Sequence, residues 1–318
     1  MEITKKIVPL HTIMKRLLHL MVALLLIVGC GQSYEDTKRQ NREQRLRLMR
    51  EDSAAFKVAV MPTLDCLPVY VAKERQLFDT AVDIRLKLFT AQMDCDTALM
   101  NKRVEVSITD LVRAERMMKQ GVPLKYIAST NAYWLLISNR QQRINDLKHL
   151  DDKMLAMTRY SVTDMLGRIA VDSAKLKPER VFRIQVNDVN IRLKMLENNE
   201  MDALFVTEPQ ATQALLAKHR VLLDTRKMDM QMGAFVSRTD SMSDKNRQRQ
   251  MAAFLKGYNA ACDSINQYGV RNYTAVIRKY YSVSEQALKR LPDSLKFMHA
   301  ADPRQKDIET AQKWLGKK

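Results

Sequence analysis

Long hydrophobic runs are nearly absent from this sequence of 318 residues. The most apolar one covers residues 17–28, is 12 residues long and contains His19. Because a membrane-spanning helix needs about 20 apolar residues to cross the hydrocarbon core, this run is too short to be a span. Basic residues precede it and Gly29-Cys30 ends it, which is the pattern of a signal peptide.

The end of the run carries a more specific signal. Residues 27–30, IVGC, resemble the lipobox of bacterial lipoproteins, in which the cysteine thiol is acylated and the chain is cut before the cysteine. The resemblance predicts a lipoprotein signal peptide over residues 1–29 and a lipid on Cys30 that holds the protein on the periplasmic side of a membrane or at the cell surface. An ordinary secretory signal with a chance cysteine is the alternative, and translation starts at Met1 or Met14.

Cysteine is scarce as well, with four in the chain. If Cys30 carries the lipid, Cys66, Cys95 and Cys262 remain, and three thiols leave at least one unpaired. Cys66 and Cys95 follow two successive predicted strands that should be neighbours in one sheet, so an exported protein could bond them. Two buried thiols or, less favoured, a metal site with nearby aspartates are the alternatives, and Cys262 is expected to be a core thiol.

Signals of catalysis are missing from the sequence. It contains neither a P-loop nor the glycine pattern of a dinucleotide site. None of the five histidines falls in a predicted strand-to-helix turn, and Ser161 has no histidine beside it. An enzyme would have to use an Asp or Glu base with a raised pKa. The sequence therefore predicts a binding protein without cofactor or metal, with an enzyme on the same fold as an alternative.

Acidic residues are too few to balance the basic ones, and the net charge is +17. Residues 1–29 hold four basic residues and one acidic residue, so the chain from Cys30 has 289 residues and a charge of about +14. That length is enough for two lobes with cores of their own. A basic excess indicates nucleic acid or an anionic membrane, and the export signal favours the membrane.

Residues 30–54 are polar and show no apolar period. Six basic residues cluster between positions 38 and 50. The segment is predicted to be a basic tether, a solvated spacer that links the lipid to the folded part. The alternative is that its basic cluster lies against lipid headgroups.

From residue 55 onward, short β-rich runs alternate with helical stretches. The predicted strands of the first unit are 57–61, 82–89, 104–109, 124–129 and 132–138, and its helices are 67–76, 94–101 and 111–120. The predicted strands of the second unit are 153–158, 181–186, 203–207 and 221–224, and its helices are 162–176, 189–198 and 209–218. This β-α-β order predicts α/β units with mostly parallel sheets.

The predicted domains follow from this alternation. Residues 55–140 form the first part of lobe 1 and residues 141–226 form lobe 2. Residues 227–318 return to lobe 1 with a strand at 232–237 and add C-terminal helices.

One phrase occurs twice in the sequence. Residues 99–106, LMNKRVEV, match residues 196–203, LENNEMDA, and each phrase places a helix end, a polar turn, an acid and a strand. Two units that share this phrase predict two similar lobes. Because ligands bind outside the carboxyl ends of the strands in open α/β sheets, we expect a ligand cleft between the lobes that closes by a hinge motion.

Four short stretches occur in order along the chain. They are residues 67–78 (LPVYVAKERQLF), 121–125 (GVPLK), 144–148 (INDLK) and 201–209 (MDALFVTEP). Together they resemble a family of solute-binding proteins that serve ABC transporters for sulfonates, nitrate and thiamin pyrimidine precursors. The resemblance covers residues 56–240. It implies the two-lobed type II periplasmic-binding-protein fold and a monomer that delivers a small molecule to a permease and an ATPase on separate chains.

The sequence departs from the family pattern at several glycines. Gln76 replaces the glycine before Phe78, and residues 102–103 and 199–200 replace the usual turn glycines. The family's glycine-rich loop after the second strand is here residues 91–93, AQM. That loop often contacts the ligand in the family, so the identity of the ligand does not transfer.

The candidate ligand-binding residues lie in the strand-to-helix turns and just after the fourth strand. They are Thr63, Asp65, Asp94, Asp96, Thr109, Asp110, Asn131, Tyr133, Trp134, Ser161, Thr163, Asp188 and Glu208. The acids are also suited to capping helix N-termini, and the two aromatic residues to a core position. Those alternatives stay open at this stage.

The acids among these candidates favour one class of ligand. Five of them are expected at one cleft with no lysine in the same turns, and such a rim repels sulfonate or nitrate. An amine or an aminopyrimidine thiamin precursor, stacked on Tyr133 or Trp134, fits better. A sulfonate- or nitrate-type binding protein is the alternative, because the predicted helix N-terminus at residues 161–163 is a suitable place for an anionic group.

Overall fold

The computed structural model describes His11, Met14, Lys15, His19 and residues 34–316. Cys30, the predicted lipobox and nearly all of the predicted signal peptide lie outside the described residues. The chain divides into two compact units, residues 1–54 and residues 55–318. Among the described helices, none combines the length and the hydrophobicity needed to cross a membrane.

The segment predicted to be a basic tether contains a helix, α1 (Tyr34–Ala54). Its residues are mostly good helix formers such as Arg, Gln, Leu and Glu. Ion pairs one turn apart support it, at 3.1 Å between Arg39 and Glu43 and at 2.8 Å between Arg47 and Glu51. The helix buries none of its residues, which explains why the sequence shows no apolar period.

The strands and helices predicted from residue 55 onward are present, with ends that shift by a few residues. The first stretch has strands β1 (Phe56–Val60), β2 (Ile84–Leu88), β3 (Val106–Asp110) and β4 (Leu124–Ser129), and helices α2 (Leu67–Glu74), α3 (Gln92–Met100) and α4 (Leu111–Lys119). The next has strands β5 (Leu135–Ser138), β6 (Lys153–Met157), β7 (Val181–Gln185), β8 (Ala203–Val206) and β9 (Arg220–Asp224), and helices α5 (Val162–Ser173), α6 (Val189–Glu197) and α7 (Gln210–Leu216). The last has strand β10 (Gly233–Arg238) and helices α8 (Lys245–Tyr268), α9 (Thr274–Tyr280), α10 (Glu285–Arg290) and α11 (Gln305–Gly316).

The strands form two five-stranded sheets with the same pattern. The order in the first is β2-β1-β3-β10-β4, and the order in the second is β7-β6-β8-β5-β9. In each sheet the first three strands are parallel to one another and the fourth runs antiparallel between two neighbours. We call the sheets with their helices lobe 1 and lobe 2.

Strand β5 lies in lobe 2, whereas residues 55–140 were all predicted to belong to lobe 1. Leu135 pairs with Val206 of β8 and with Asp224 of β9. The chain therefore crosses between the lobes before Leu135, and it crosses back before β10, which pairs with β3 and β4 as predicted. An apolar run such as residues 135–138 does not encode which of two similar sheets it joins.

The acid in each copy of the repeated phrase makes an equivalent hydrogen bond in its lobe. Glu105 accepts a hydrogen bond from the backbone N–H of Lys57 at 2.6 Å, and Asp202 accepts one from the backbone N–H of Met154 at 2.8 Å. Each acid lies directly before a strand, β3 or β8, and ties it to the neighbouring parallel strand, β1 or β6. The phrase marks equivalent positions in two similar lobes.

Three positions where family members carry turn glycines keep a left-handed backbone here. The φ angles are 54° at Gln76, 55° at Lys102 and 63° at Asn199. A residue with a side chain pays a steric cost in that region, which asparagine tolerates best. The left-handed turns therefore form in this chain without glycine.

Cys66 and Cys95 are free and buried in the structure, which corresponds to the alternative of two buried thiols rather than to the possible disulfide. Their strands β1 and β2 are neighbours as expected. The Cys66 thiol instead accepts a hydrogen bond from the backbone N–H of Met61 at 3.5 Å, and burial raises the pKa of both thiols. Cys262 is a buried core thiol, as predicted.

The core of lobe 1 is built on aromatic side chains from the sheet and from helix α8. Phe56 and Phe235 pack against Phe254 with ring centroids 6.0 and 6.3 Å apart. Helix α8 approaches the end of α2 so closely at Gly257 that an added Cβ would lie 2.4 Å from Cδ1 of Phe78 and 3.0 Å from the carbonyl oxygen of Leu77. Gly257 is required for this close packing.

We expect the substitution Gly257→Ala to destabilise the fold by about 1–3 kcal/mol, the range for overpacking a core. Gly316→Ala is the matched control, because an added Cβ meets nothing within 4 Å there. Urea unfolding followed by circular dichroism measures both. Equal stability of the two variants would contradict this account of the α2–α8 contact.

Candidate functional site

A cavity of about 60 Å³ lies between the lobes, at the carboxyl ends of their parallel strands. This volume is about twice the share of one water molecule in the liquid. Backbone hydrogen bonds join the lobes beside it, from Leu64 N–H to the Glu208 carbonyl at 2.9 Å and from Val189 N–H to the Thr90 carbonyl at 3.1 Å. The lobes are therefore closed on each other.

Seven of the thirteen predicted ligand residues line this cavity. They are Thr63, Asp65, Thr109, Asp110, Trp134, Ser161 and Thr163. The other six lie off its wall. They are Asp94, Asp96, Asn131, Tyr133, Asp188 and Glu208.

Asp110 joins the two lobes through one carboxylate oxygen. Its Oδ1 accepts the N–H of Arg113 at 3.0 Å, which caps α4, and the N–H of Val162 at 3.1 Å, which is in the first turn of α5. Helix N-termini attract anions. The carboxylate of lobe 1 thus occupies the α5 N-terminus, the predicted place for an anionic group of the ligand.

Burial raises the pKa of Asp110 to about 7. The nearby Arg113 and the backbone N–H groups oppose this shift, and the charge of Asp96 adds to it. Both hydrogen bonds go to Oδ1, so a proton on Oδ2 leaves the two helix caps intact. The closed form can therefore hold Asp110 neutral.

Asp65 faces the cavity from the turn after β1 with an oxygen that lacks a partner. The residue is 7% exposed, and Oδ1 makes no hydrogen bond within the described part of the chain. Oδ2 accepts a long hydrogen bond, at 3.4 Å, from Thr130 Oγ1. Burial raises the pKa of Asp65, whereas the Thr63 hydroxyl and the backbone N–H groups of Asp65 and Cys66 act to lower the pKa of this carboxyl. A buried acceptor without a partner is costly, so this oxygen is placed to receive a donor from a ligand.

Arg192 reaches the cavity from α6 in lobe 2 and was missed by the sequence analysis. It is 4% exposed, and its nitrogens donate to the carbonyls of Val186 and Phe205 and to Thr158 Oγ1. Burial lowers its pKa to about 10. No sequence pattern indicates Arg192 as a ligand residue, because it lies within a helix rather than in a strand-to-helix turn.

Asp96 and Glu208 pair with groups of the protein that lie off the cavity wall. Asp96 forms a buried ion pair with Arg113. Glu208 accepts from the Tyr133 hydroxyl at 2.7 Å and from the backbone N–H of Thr212 at 3.0 Å. The guanidinium of Arg226 covers the Tyr133 ring at 4.3 Å, so this ring does not offer a free face to a ligand.

The remaining three predicted residues also lie off the cavity wall. Asp94 is exposed near the N-terminus of α3. The Asn131 amide donates to the Lys296 carbonyl at 2.8 Å. Asp188 caps α6 and also accepts from the Thr90 hydroxyl of lobe 1. The acidic rim predicted from five residues is thus reduced to Asp65 and Asp110, and Arg192 faces the same cavity.

The histidines of the folded unit lie away from the cavity. His219 is buried and accepts the N–H of Arg140 at 3.2 Å, and His299 pairs with Asp263 at 2.6 Å. His149 is exposed near Asp146. Within residues 34–316 there is also no cluster of three or more metal-ligating side chains.

The pKa of Asp110 predicts that closing of the lobes depends on pH. An open cleft exposes the carboxyl to water and returns its pKa towards 3.8, so the closed form binds the proton more tightly between about pH 4 and 7. This contribution to closing is lost as the pH rises through 7. Interlobe distance, measured by fluorescence energy transfer at pH 5.5 and 8, should be shorter at pH 5.5. Asp110→Asn should remove that difference, and a difference that persists would contradict the assignment.

Comparison with solved structures identifies the fold. The ligand-binding component of an ABC-type import system from Staphylococcus aureus, with zinc bound, is 16% identical at a TM-score of 0.69, over 83% of this chain and 92% of that one. The alkanesulfonate-binding protein SsuA from Xanthomonas axonopodis pv. citri, bound to MOPS, is 13% identical at 0.70, over 83% and 91%. The nitrate-binding protein NrtA from Synechocystis PCC 6803 is 15% identical at 0.65, over 80% and 74%. The predicted two-lobed periplasmic-binding-protein fold is confirmed.

Comparison with sequences gives the family. No curated protein matches the chain. The family model described as NMT1/THI5 like matches residues 63–302, which is well over half of the chain and covers most of both lobes. The chain belongs to the NMT1/THI5-like family.

Proposed function

We propose that this chain is the solute-binding component of an ABC importer and works outside the cytoplasm. Its family and its fold support this function, as does a polar cavity between two lobes that are joined by hydrogen bonds. The lobes open, capture a small molecule and close again. The closed form then delivers the molecule to a permease and an ATPase on separate chains.

The unpartnered Oδ1 of Asp65 carries the proposal about the ligand. It requires an N–H or O–H donor inside the cleft. A ligand with an amine could donate a hydrogen bond to Asp65. If it also has a ring nitrogen or a hydroxyl, that group could accept a hydrogen bond from Arg192 on the opposite lobe. An aminopyrimidine thiamin precursor or a related amine has these groups, and Trp134 lines the same cavity. Such a molecule is larger than about 60 Å³, so the lobes have to stand further apart around it than they do in this structure.

A sulfonate or nitrate ligand is the second candidate. Arg192 favours it, because its guanidinium is buried and hydrogen-bonded to carbonyl and hydroxyl oxygens rather than to a carboxylate. Asp110 opposes it, since the carboxylate already occupies the α5 N-terminus. An anion would have to displace Asp110 or meet it in the protonated form.

We also propose that a lipid on Cys30 anchors the protein to a bacterial membrane. The support is the lipobox-like sequence at residues 27–30 and the basic helix α1 that begins four residues after Cys30. Mass spectrometry of the protein purified from bacterial membranes, with a Cys30→Ser variant as control, tests this anchor.

Asp65→Asn should weaken binding of 4-amino-5-hydroxymethyl-2-methylpyrimidine at least ten-fold, because a hydrogen bond to a charged group contributes about 1.5–3 kcal/mol. Asp94→Asn removes the same charge off the cavity wall and should leave the affinity unchanged. Isothermal titration calorimetry of the two variants measures both, with nitrate and ethanesulfonate as competing ligands. Tight binding of ethanesulfonate with none of the pyrimidine would overturn the ligand class and support the second candidate.

A further inference from the structure

A basic groove crosses the surface of lobe 2 between two loops. One wall is the segment that follows β5 and the other is the turn between α7 and β9. Its volume is about 450 Å³, and four permanent cations line it. They are Arg140, Arg143, Lys218 and Arg220. The lining contains no aspartate or glutamate. We call it the basic groove.

The basic groove lies at the end of lobe 2 opposite the ligand cavity. Ser138, which lines the groove, pairs with Ala203 at the start of β8. Thr207, which lines the ligand cavity, follows the end of the same strand. The length of β8 therefore separates the two sites, and the groove is not an extension of the ligand cavity.

The four cations differ from other exposed arginines of the same lobe. Three of those arginines form ion pairs with aspartates. The distances are 2.9 Å for Arg168–Asp172, 2.6 Å for Arg180–Asp151 and 2.6 Å for Arg226–Asp224. Within residues 34–316, none of the groove cations has a carboxylate partner. Like charges gathered without counter-charges repel one another, so this arrangement is suited to an anion that comes from outside the chain.

Two polar side chains of the basic groove, His219 and Asn145, accept hydrogen bonds from its arginines. His219 accepts the backbone N–H of Arg140 on Nδ1 at 3.2 Å, so the neutral ring carries its proton on Nε2. Burial and the charge of Arg140 lower the pKa of His219, which keeps it neutral, whereas the charge of Glu197 opposes this shift. Asn145 holds the Arg220 guanidinium through its side-chain oxygen, which fixes one of the cations in place.

We infer that the basic groove binds a phosphate group. Guanidinium groups bind the oxygens of phosphate in a forked geometry, and a compact cluster of several cations matches its negative charge. Two sources share this chemistry, a soluble phosphate ester and the headgroup of an anionic phospholipid. This inference goes beyond the proposed import function, because it concerns another site and another ligand.

The test compares two double variants of the full chain. Arg140→Gln/Arg143→Gln removes two groove cations, and Arg168→Gln/Arg180→Gln removes two paired arginines from the same lobe with the same change of net charge. Titration with inorganic phosphate at constant ionic strength, followed by ³¹P NMR, should show saturable binding to the wild-type protein. The groove variant should bind at least ten-fold more weakly and the control variant unchanged. Lys218→Gln, a single substitution in the other wall, should also weaken binding.

The membrane arm uses vesicles of phosphatidylglycerol and phosphatidylcholine, with pure phosphatidylcholine as reference. A groove-dependent difference between the two vesicles assigns the site to lipid headgroups, and groove-dependent phosphate binding without that difference assigns it to soluble esters. Three results overturn the inference. They are the absence of both effects, an equal loss in the two double variants, and phosphate binding that Arg192→Gln abolishes while the groove variant retains it.

Discussion

The carboxylate of Asp110 is the contact on which the closed molecule depends. One oxygen caps α4 of its own lobe and the first turn of α5 of the other lobe. Two helix dipoles thus converge on one acid, which explains how a buried carboxylate is tolerated at the bottom of the cleft. The same contact couples closing to a proton, because burial moves the pKa of Asp110 to about 7.

The charge that faces the cleft depends on which acidic side chains are already paired, not on how many acidic residues lie in the turns. Asp96 is neutralised by Arg113, and Glu208 is occupied by Tyr133 and Thr212. Three charged side chains line the cavity. They are Asp65, whose Oδ1 lacks a hydrogen-bond donor, Asp110, whose Oδ1 caps two helices, and Arg192. A site with both signs of charge is suited to a small ligand that both donates and accepts hydrogen bonds.

Ion pairs also determine where on the surface the basic excess of the chain remains uncompensated. Arg39 and Arg47 on α1 and Arg168 and Arg180 on lobe 2 each form an ion pair with an acid, so these four arginines add little to the field around the molecule. The basic groove keeps its charge because its walls contain none of these acids. A net charge of +17 therefore says less about partners than the few places where cations stand without counter-charges.

The sequence by itself determined the order of strands and helices, the similarity of the two lobes and the strand-to-helix turns where the cavity forms. These features are encoded locally, in apolar periods, in turns and in the repeated phrase of residues 99–106 and 196–203. Only the tertiary structure decided that β5 joins lobe 2, that Cys66 and Cys95 stay free, and that Arg192 enters the cleft. Each of these depends on which groups meet across distant segments, and neither local propensity nor residue type specifies such a meeting.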